Sequence, residues 1–329
     1  MVKLQKGINF NNVFAVDPTI KSDLAVVSHA HSDHLRAHKK IIATPETLAL
    51  ARLQYKRFEA SPVGYNQKFE IGPATIELTP AGHMLGSAQV IIDWHGERIV
   101  YTGDFKLEKN STCPPAKIHK CDTLLIDTTY GKPAYKFPSA DECKERLLDF
   151  VDTKFKTGFT PVVMAYSFGK AQEAMSILSA EGYEIEAHQK AYAATQIYNE
   201  FSDKISGIFE LNDKPESGRV VVVPPGALRH MHTYGWGRIR TCFLSGWTLN
   251  GGMGHWRNNG FGIPFSDHAS FEDIIKYVET AKPKKIYTLF GPPDIADYLN
   301  RIGFKAEAVT MSSGHIVSKL PTSNIELFN

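Results

Sequence analysis

The sequence predicts an α/β protein of two domains, one inserted into the other. Three observations carry this reading. The 329 residues exceed the roughly 150 typical of one domain. Short strand-like runs dominate up to Tyr130, whereas strands and amphipathic helices alternate after it. No flexible linker separates the two patterns, which suits insertion better than two beads joined by a tether.

The early strand-like runs cover residues 24–28, 41–44, 74–80, 88–94, 98–102 and 123–127. Each is rich in β-branched or aliphatic residues and is bounded by Gly, Pro, Asp or Asn. Polar residues gather at their ends, where α/β folds carry their sites. From residue 139 the period changes. Residues 139–155 open on Ser139 and set Leu147, Leu148 and Val151 at helical spacing. A buried strand at 161–165, a helix at 170–180 and further alternation through 191–201 and 219–223 give a parallel α/β unit. A polar cluster, Asp267 and His268, then precedes a helix at 271–280, a strand at 285–290, another helix and a final strand.

Composition narrows the chemistry. Hydrophobic residues make up 43% and charged residues 22%, as in an ordinary globular chain. Lys and Arg number 37 against 35 Asp and Glu, so any basic surface is local. The four cysteines form no C-x-x-C pair, which argues against a zinc ribbon and a disulfide framework. No signal-peptide-like stretch and no long apolar run occurs, so a cytoplasmic location without a membrane partner is expected. Thirteen histidines direct a metal search toward imidazole and carboxylate ligands.

That search ends at Ser28-His29-Ala30-His31-Ser32-Asp33-His34. Alternate residues of an extended segment point the same way, so His29 and His31 can grip one ion while Asp33 and His34, at a turn into a helix, face a second. His83 and Asp104 each follow a Gly just past a strand and complete the set. An aspartate between two cations can bridge them, an arrangement suited to hydrolysing phosphodiesters or acyl compounds.

These residues, with Asp17 in Ala15-Val16-Asp17-Pro18, resemble the first four motifs of the metallo-β-lactamase superfamily. The resemblance implies an αββα sandwich in which Asp17 braces the metal loop. It leaves the substrate open, because the superfamily spans lactamases, glyoxalases, flavoproteins and nucleases. The segment Leu124-Leu125-Ile126-Asp127-Thr128-Thr129-Tyr130-Gly131 looks like the acidic first motif of its β-CASP nucleases, with wording closer to Artemis-type DNA nucleases than to RNA-processing members. Tyr166-Ser167-Phe168-Gly169-Lys170 and Phe265-Ser266-Asp267-His268-Ala269-Ser270 also look like segments of these nucleases and of ligase-associated DNA exonucleases. The implied domains are a sandwich from residues 1–137 and 263–329 and an inserted β-CASP cap at 138–262.

One departure matters. In Tyr287-Thr288-Leu289-Phe290-Gly291, Phe290 stands where many relatives have a metal-binding His, and Artemis-type nucleases also have an apolar residue there. Fewer ligands at the Asp33 and His34 site imply one tightly held Zn2+, on His29, His31, His83 and Asp104, and one weaker Zn2+, Mn2+ or Mg2+. The resemblance gives Asp33, Asp127 and His268 catalytic roles, and it sets Lys170 and Ser270 near a pocket for a terminal 5′-phosphate. Independently, residues 217–266 hold no Asp or Glu but five arginines and three of the four tryptophans. Guanidinium groups suit phosphates and indoles suit unpaired bases, which points to Arg238, Arg240 and Arg257 as nucleic-acid contacts.

The expected function is a metal-dependent DNA nuclease of DNA repair, a 5′ exonuclease or a structure-specific endonuclease acting on 5′-phosphorylated or hairpin ends. A β-CASP ribonuclease is the alternative. A small-molecule metallo-hydrolase needs neither the cap nor the acid-free stretch.

Overall fold

The structure is a computed structural model that describes residues 2–4, 7–11, 13–202, 204–229, 235–251 and 261–309. Three short strands open the chain, β1 (Val2–Leu4), β2 (Ile8–Phe10) and β3 (Phe14–Val16), followed by β4 (Leu24–Val26), β5 (Lys40–Ala43), helix α1 (Pro45–Gln54) and β6 (Glu59–Pro62). Then come β7 (Lys68–Ile71), β8 (Ala74–Pro80), β9 (Ala88–Trp94), β10 (Glu97–Tyr101) and β11 (Thr123–Asp127). The middle of the chain runs α2 (Ala140–Lys156), β12 (Thr160–Met164), α3 (Lys170–Ala180), β13 (Ile185–Ala187), α4 (Gln189–Phe201), β14 (Ile208–Glu210), β15 (Val220–Val223), β16 (Ile239–Leu244) and β17 (Phe261–Ile263). It closes with α5 (Phe271–Ala281), β18 (Lys285–Leu289), α6 (Asp294–Arg301) and β19 (Ala306–Ala308).

The chain forms two compact units. One comprises Met1–Glu108, Pro114–Ala134 and His268–Asn329; the other comprises Lys109–Cys113 and Tyr135–Asp267. In the first, strands β1 to β6 make a sheet in sequence order, and a second sheet runs β19-β18-β11-β10-β9-β8-β7. Their inner faces share one core, in which Phe10 stacks on Phe14 at 4.6 Å and Trp94 meets Phe10 edge-on. Helix α1 covers the outer face of the first sheet through Leu48 and Ala51. Helices α5 and α6 cover the second through Ile274, Tyr277, Val278, Ile295 and Leu299. Helix, sheet, sheet and helix thus form the αββα sandwich, each apolar face meeting another.

Helix α1 carries the start signal of Thr44 and Pro45: the Thr44 hydroxyl oxygen accepts from the Thr47 N–H, and proline occupies the first helical position. No helix follows His34, contrary to the sequence expectation. Lys39 and Lys40 give their N–H groups to Ser22 and Asp23 carbonyls, so the donors a helix would use are already taken by the preceding loop.

The second unit is a parallel sheet, ordered β14-β13-β15-β12-β16-β17. Alternation divides its side chains between two cores. Val163, Val220, Val222 and Leu244 meet residues of α2 and α3 on one face; Val162, Met164, Val221, Val223 and Phe243 meet Trp236 on the other. Among the described residues, no helix is long and apolar enough to cross a membrane.

Candidate metal centre

The centre is built from three loops at strand ends of the sandwich, joined by the end of β11 and the segment before α5. The loop after β4 supplies His29, His31, Asp33 and His34; the loop after β8 supplies His83; the loop after β10 supplies Asp104. His268 begins the return segment before α5, and Asp127 ends β11. His83 reaches the centre through a backbone position only glycine fits. Gly82 sits at φ 77°, and a Cβ there would lie 2.2 Å from the Lys106 carbonyl oxygen. The Ser87 hydroxyl then accepts from the His83 and Met84 N–H groups and closes the turn.

Asp104 stands at the focus. Its Oδ2 lies 3.5 Å from His29 Nε2, 3.6 Å from His83 Nε2 and 3.9 Å from His268 Nε2, while Oδ1 lies 3.4 Å from His34 Nε2. His83 Nε2 is 3.0 Å from His31 Nδ1. One atom from each of His29, His31, His83 and Asp104 falls within 4.8 Å of the others. Two ligands of a tetrahedral ion, each about 2.05 Å from it, are separated by about 3.3 Å, so these spacings match a shared cation.

The hydrogen bonds make the same point. Asp17 is a buried acceptor for four donors: the Ser28 N–H at 2.7 Å, the Ser28 hydroxyl at 2.5 Å, His34 Nδ1–H at 2.8 Å and the Tyr101 hydroxyl at 2.9 Å. Because the Ser28 hydroxyl gives its proton to Asp17, its oxygen receives the Nδ1–H of His29, 3.0 Å away. That tautomer leaves a lone pair on His29 Nε2, which is buried, has no hydrogen-bond partner and points at a carboxylate. A buried lone pair beside a negative charge is costly unless a cation lies between them.

The charges are strongly coupled. Burial, aided by the His34 charge, holds His29 well below the usual imidazole range and keeps its lone pair available. Burial also acts downward on His34, but the Asp104 and Asp17 carboxylates outweigh it and raise that imidazole well above its usual range. Burial would raise Asp104; the surrounding imidazoles, His34 first, pull it well below the carboxylate range. Burial and Asp17 raise the Tyr101 hydroxyl, which stays a donor.

A second pair adjoins the first. His268 Nδ1 donates to Asp127 Oδ2 at 2.8 Å, while Asp127 Oδ1 accepts from the Thr129 N–H and hydroxyl at 2.8 and 2.7 Å. The carboxylate therefore fixes the imidazole's tautomer and turns its Nε2 toward Asp104.

Comparison with known proteins agrees with this geometry. A family model described as a beta-lactamase superfamily domain matches residues 13–153. A probable DNA ligase of Opitutus terrae is 31% identical over 86% of this chain and 28% of its own length. The chain belongs to the metallo-β-lactamase superfamily. The DNA cross-link repair protein SNM1 of Arabidopsis thaliana is 26% identical over 79% of this chain and 59% of its own. An RNase J-like protein of Methanocaldococcus jannaschii is 28% identical over 48% and 43%. The chain thus spans less than two thirds of each of these three relatives. A crystal structure of a protein of unknown function from Enterococcus faecalis V583 shares the fold, with a TM-score of 0.60 at 12% identity over 89% of this chain and 80% of that one. The inserted parallel α/β unit is the β-CASP cap of this superfamily.

The remaining site residues from the sequence are distributed unevenly. Asp33 has a side chain 75% exposed, 3.8 Å from His34 Nε2, and lies outside the tight ligand groups. Ser270 caps α5: its hydroxyl accepts from the Asp273 N–H and donates to the Asp273 carboxylate. Lys170 is buried at the start of α3 with its ammonium 2.9 Å from Asp267, so its charge is already matched inside the cap. Arg238 and Arg240 hold their guanidinium carbons 4.0 and 4.1 Å from the Phe159 ring centroid. They sit at the amino-terminal end of β16, and Lys170 follows the carboxyl end of the parallel neighbour β12, so one sheet separates the two sets. Arg257 lies outside the described residues.

Of the tryptophans expected to stack on bases, Trp236 is only 4% exposed and donates its indole N–H to the Asp213 carbonyl, so it belongs to the cap core. Trp247 is 41% exposed, and Trp256 lies outside the described residues. Sequence reasoning missed Tyr101 and the bridging role of Ser28. The only signal for Tyr101 was its place at the strand end just before Thr102-Gly103-Asp104.

Proposed function

We propose that the chain is a metal-dependent DNA nuclease that hydrolyses phosphodiester bonds. The observation that carries this reading is the convergence of four imidazoles on the two oxygens of Asp104, with the His268–Asp127 pair beside them. His29, His31, His83 and Asp104 would hold the tighter ion, Zn2+. His34, Asp33 and the second oxygen of Asp104 would hold the weaker Zn2+, Mn2+ or Mg2+. Bound there, the ions would supply an activated water and neutralise charge developing on the phosphoryl oxygens.

The chain's own groups do the rest. Asp17 and Ser28 set the tautomers of His34 and His29 so that both present Nε2 to Asp104. Asp127 orients the His268 ring, whose Nε2, when it carries a proton, can pass it to the leaving sugar oxygen. The Asp127-Thr128-Thr129-Tyr130 wording, Phe290 and the DNA-repair relative favour DNA. The similarity to a probable DNA ligase fits a role in trimming ends before they are sealed. A ribonuclease is the second reading, favoured by the RNase J-like relative and by an RNase of Saccharolobus solfataricus that is 27% identical over 190 residues.

The test offers the purified chain, loaded with Zn2+ or Mn2+, 5′-phosphorylated and 5′-hydroxyl single strands, duplexes and hairpins of DNA and RNA, and resolves product sizes. Stepwise release of mononucleotides from 5′-phosphorylated DNA supports a 5′ exonuclease. Cuts inside hairpin ends support a structure-specific endonuclease. Preferential RNA cleavage supports the ribonuclease, and cleavage of none of them overturns the nuclease reading. Asp33→Ala and His268→Ala are each expected to abolish cleavage with the fold retained.

A further inference from the structure

One side chain at the rim of the centre has no part in holding a metal. Phe290, just past β18, is 42% exposed and its ring centroid lies 5.1 Å from that of His34, tilted by 55°. Its φ of 61° is left-handed, a conformation that bulky residues rarely adopt and that persists only where the surroundings impose it. The surroundings here are explicit. The Thr128 N–H and hydroxyl both donate to the Leu289 carbonyl, at 2.8 and 2.9 Å, and a Cβ on Gly291 would meet the Thr128 carbonyl oxygen at 1.8 Å. The peptide on either side of Phe290 is therefore pinned to the strand end that carries Asp127.

Burial of apolar area does not account for this placement, because the ring remains substantially in solvent beside buried histidines and carboxylates. We propose that Phe290 is a base-stacking subsite, whose exposed face receives the unpaired nucleobase next to the phosphate held at the His and Asp cluster. The inference rests on the nuclease reading. Every base has a π face, so stacking on a fixed aromatic ring positions a nucleotide without reading sequence. The ring supplies no nitrogen to the centre and can orient the substrate instead. Stacking also requires the base to be out of its pair, so single strands and frayed ends are favoured over intact duplex.

The experiment measures KM and kcat on a short 5′-phosphorylated single-stranded DNA in which one abasic residue is moved along the strand. With the wild-type chain, the abasic residue beside the scissile phosphate should raise KM about tenfold, inside the about 5- to 150-fold range for losing one stacked base. Phe290→Ala should show that higher KM on intact DNA and suffer no further penalty from the abasic residue, with kcat and bound metal unchanged. Phe290→Trp should retain wild-type behaviour, and Phe290→Leu should behave like Ala. Phe290→Asn, which suits the left-handed backbone, provides a second folded variant without a ring. A Leu variant equal to wild type would make the side chain a mere cover for His34 and overturn the proposal, as would an abasic penalty that survives in Phe290→Ala. If the wild-type chain cleaves nucleic acid, those outcomes sink this inference alone; if it cleaves none, the nuclease reading falls and takes this one with it.

Discussion

Asp17→Asn isolates one charge at the root of the metal loop. Asp17 has a φ of 42°, a left-handed conformation that Asn adopts readily, so the backbone is undisturbed and only the carboxylate changes. Oδ2 accepts from Ser28 Oγ, His34 Nδ1 and Tyr101 Oη, and Oδ1 accepts from the Ser28 N–H. Either orientation of an amide places an NH2 against at least one of these donors. The two hydroxyls can rotate to accept, but His34 would have to give up its Nδ1 proton and keep its only N–H on Nε2, the atom facing Asp104 and needed by a cation. Removing one partner from such a buried charged network costs about 3–5 kcal/mol. Loss of a group that orients a ligand typically lowers metal affinity about 10- to 100-fold. Urea unfolding in a chelator measures the first quantity, and competition with a chromophoric chelator measures the second. An Asn variant with unchanged stability and unchanged metal affinity would refute the argument that Asp17 sets the tautomer of His34.

Three further outcomes follow from other parts of the molecule. The ring nitrogens of His38 lie 3.2 Å from the Ser22 and Arg36 N–H groups, the unprotonated one accepting, and burial lowers its pKa to about 4 from 6.5. The unfolded chain therefore takes up a proton before the folded one does: His38's contribution is intact above pH 6.5 and drains away as pH falls toward 4. Urea melts across that window should show a shallower acid loss in His38→Gln; identical pH profiles would count against the assignment. Gly82→Ala should destabilise the sandwich by about 1–3 kcal/mol and displace His83, read as a lower midpoint in thermal melts together with weaker metal binding; a wild-type midpoint would contradict the close approach. If Arg238 and Arg240 contact phosphates, replacing both by Ala should lower the salt-dependence slope of single-strand binding by about 1.4, about 0.7 per contact. An unchanged slope in fluorescence anisotropy would confine them to packing on Phe159.

Much of this protein was legible because local chemistry is written locally. Val220–Val223 read as a buried strand, and Ser139 marked the start of α2, where it closes a capping box with Glu142. The spacing of His29, His31, Asp33 and His34 signalled a metal because so many ligands in one short loop otherwise have no use. The three strands before Val16 and helix α1 went unread, although Thr44 and Pro45 mark the helix start.

Only the tertiary structure could bring Tyr101 and Ser28 onto Asp17, because these contacts span 84 and 11 residues of sequence and carry no periodic signal. It likewise turned Trp236 into core, engaged Lys170 with Asp267 and set Arg238 and Arg240 at the opposite end of the sheet from Lys170. Sequence supplies the inventory of donors, acceptors and charges, and local spacing limits which of them can be neighbours. Which acceptor a given donor meets, and whether a charge remains available to a substrate, depends on how distant strand ends converge. At this centre that convergence selects the tautomers of His29, His34 and His268, and so decides which nitrogen atoms face Asp104.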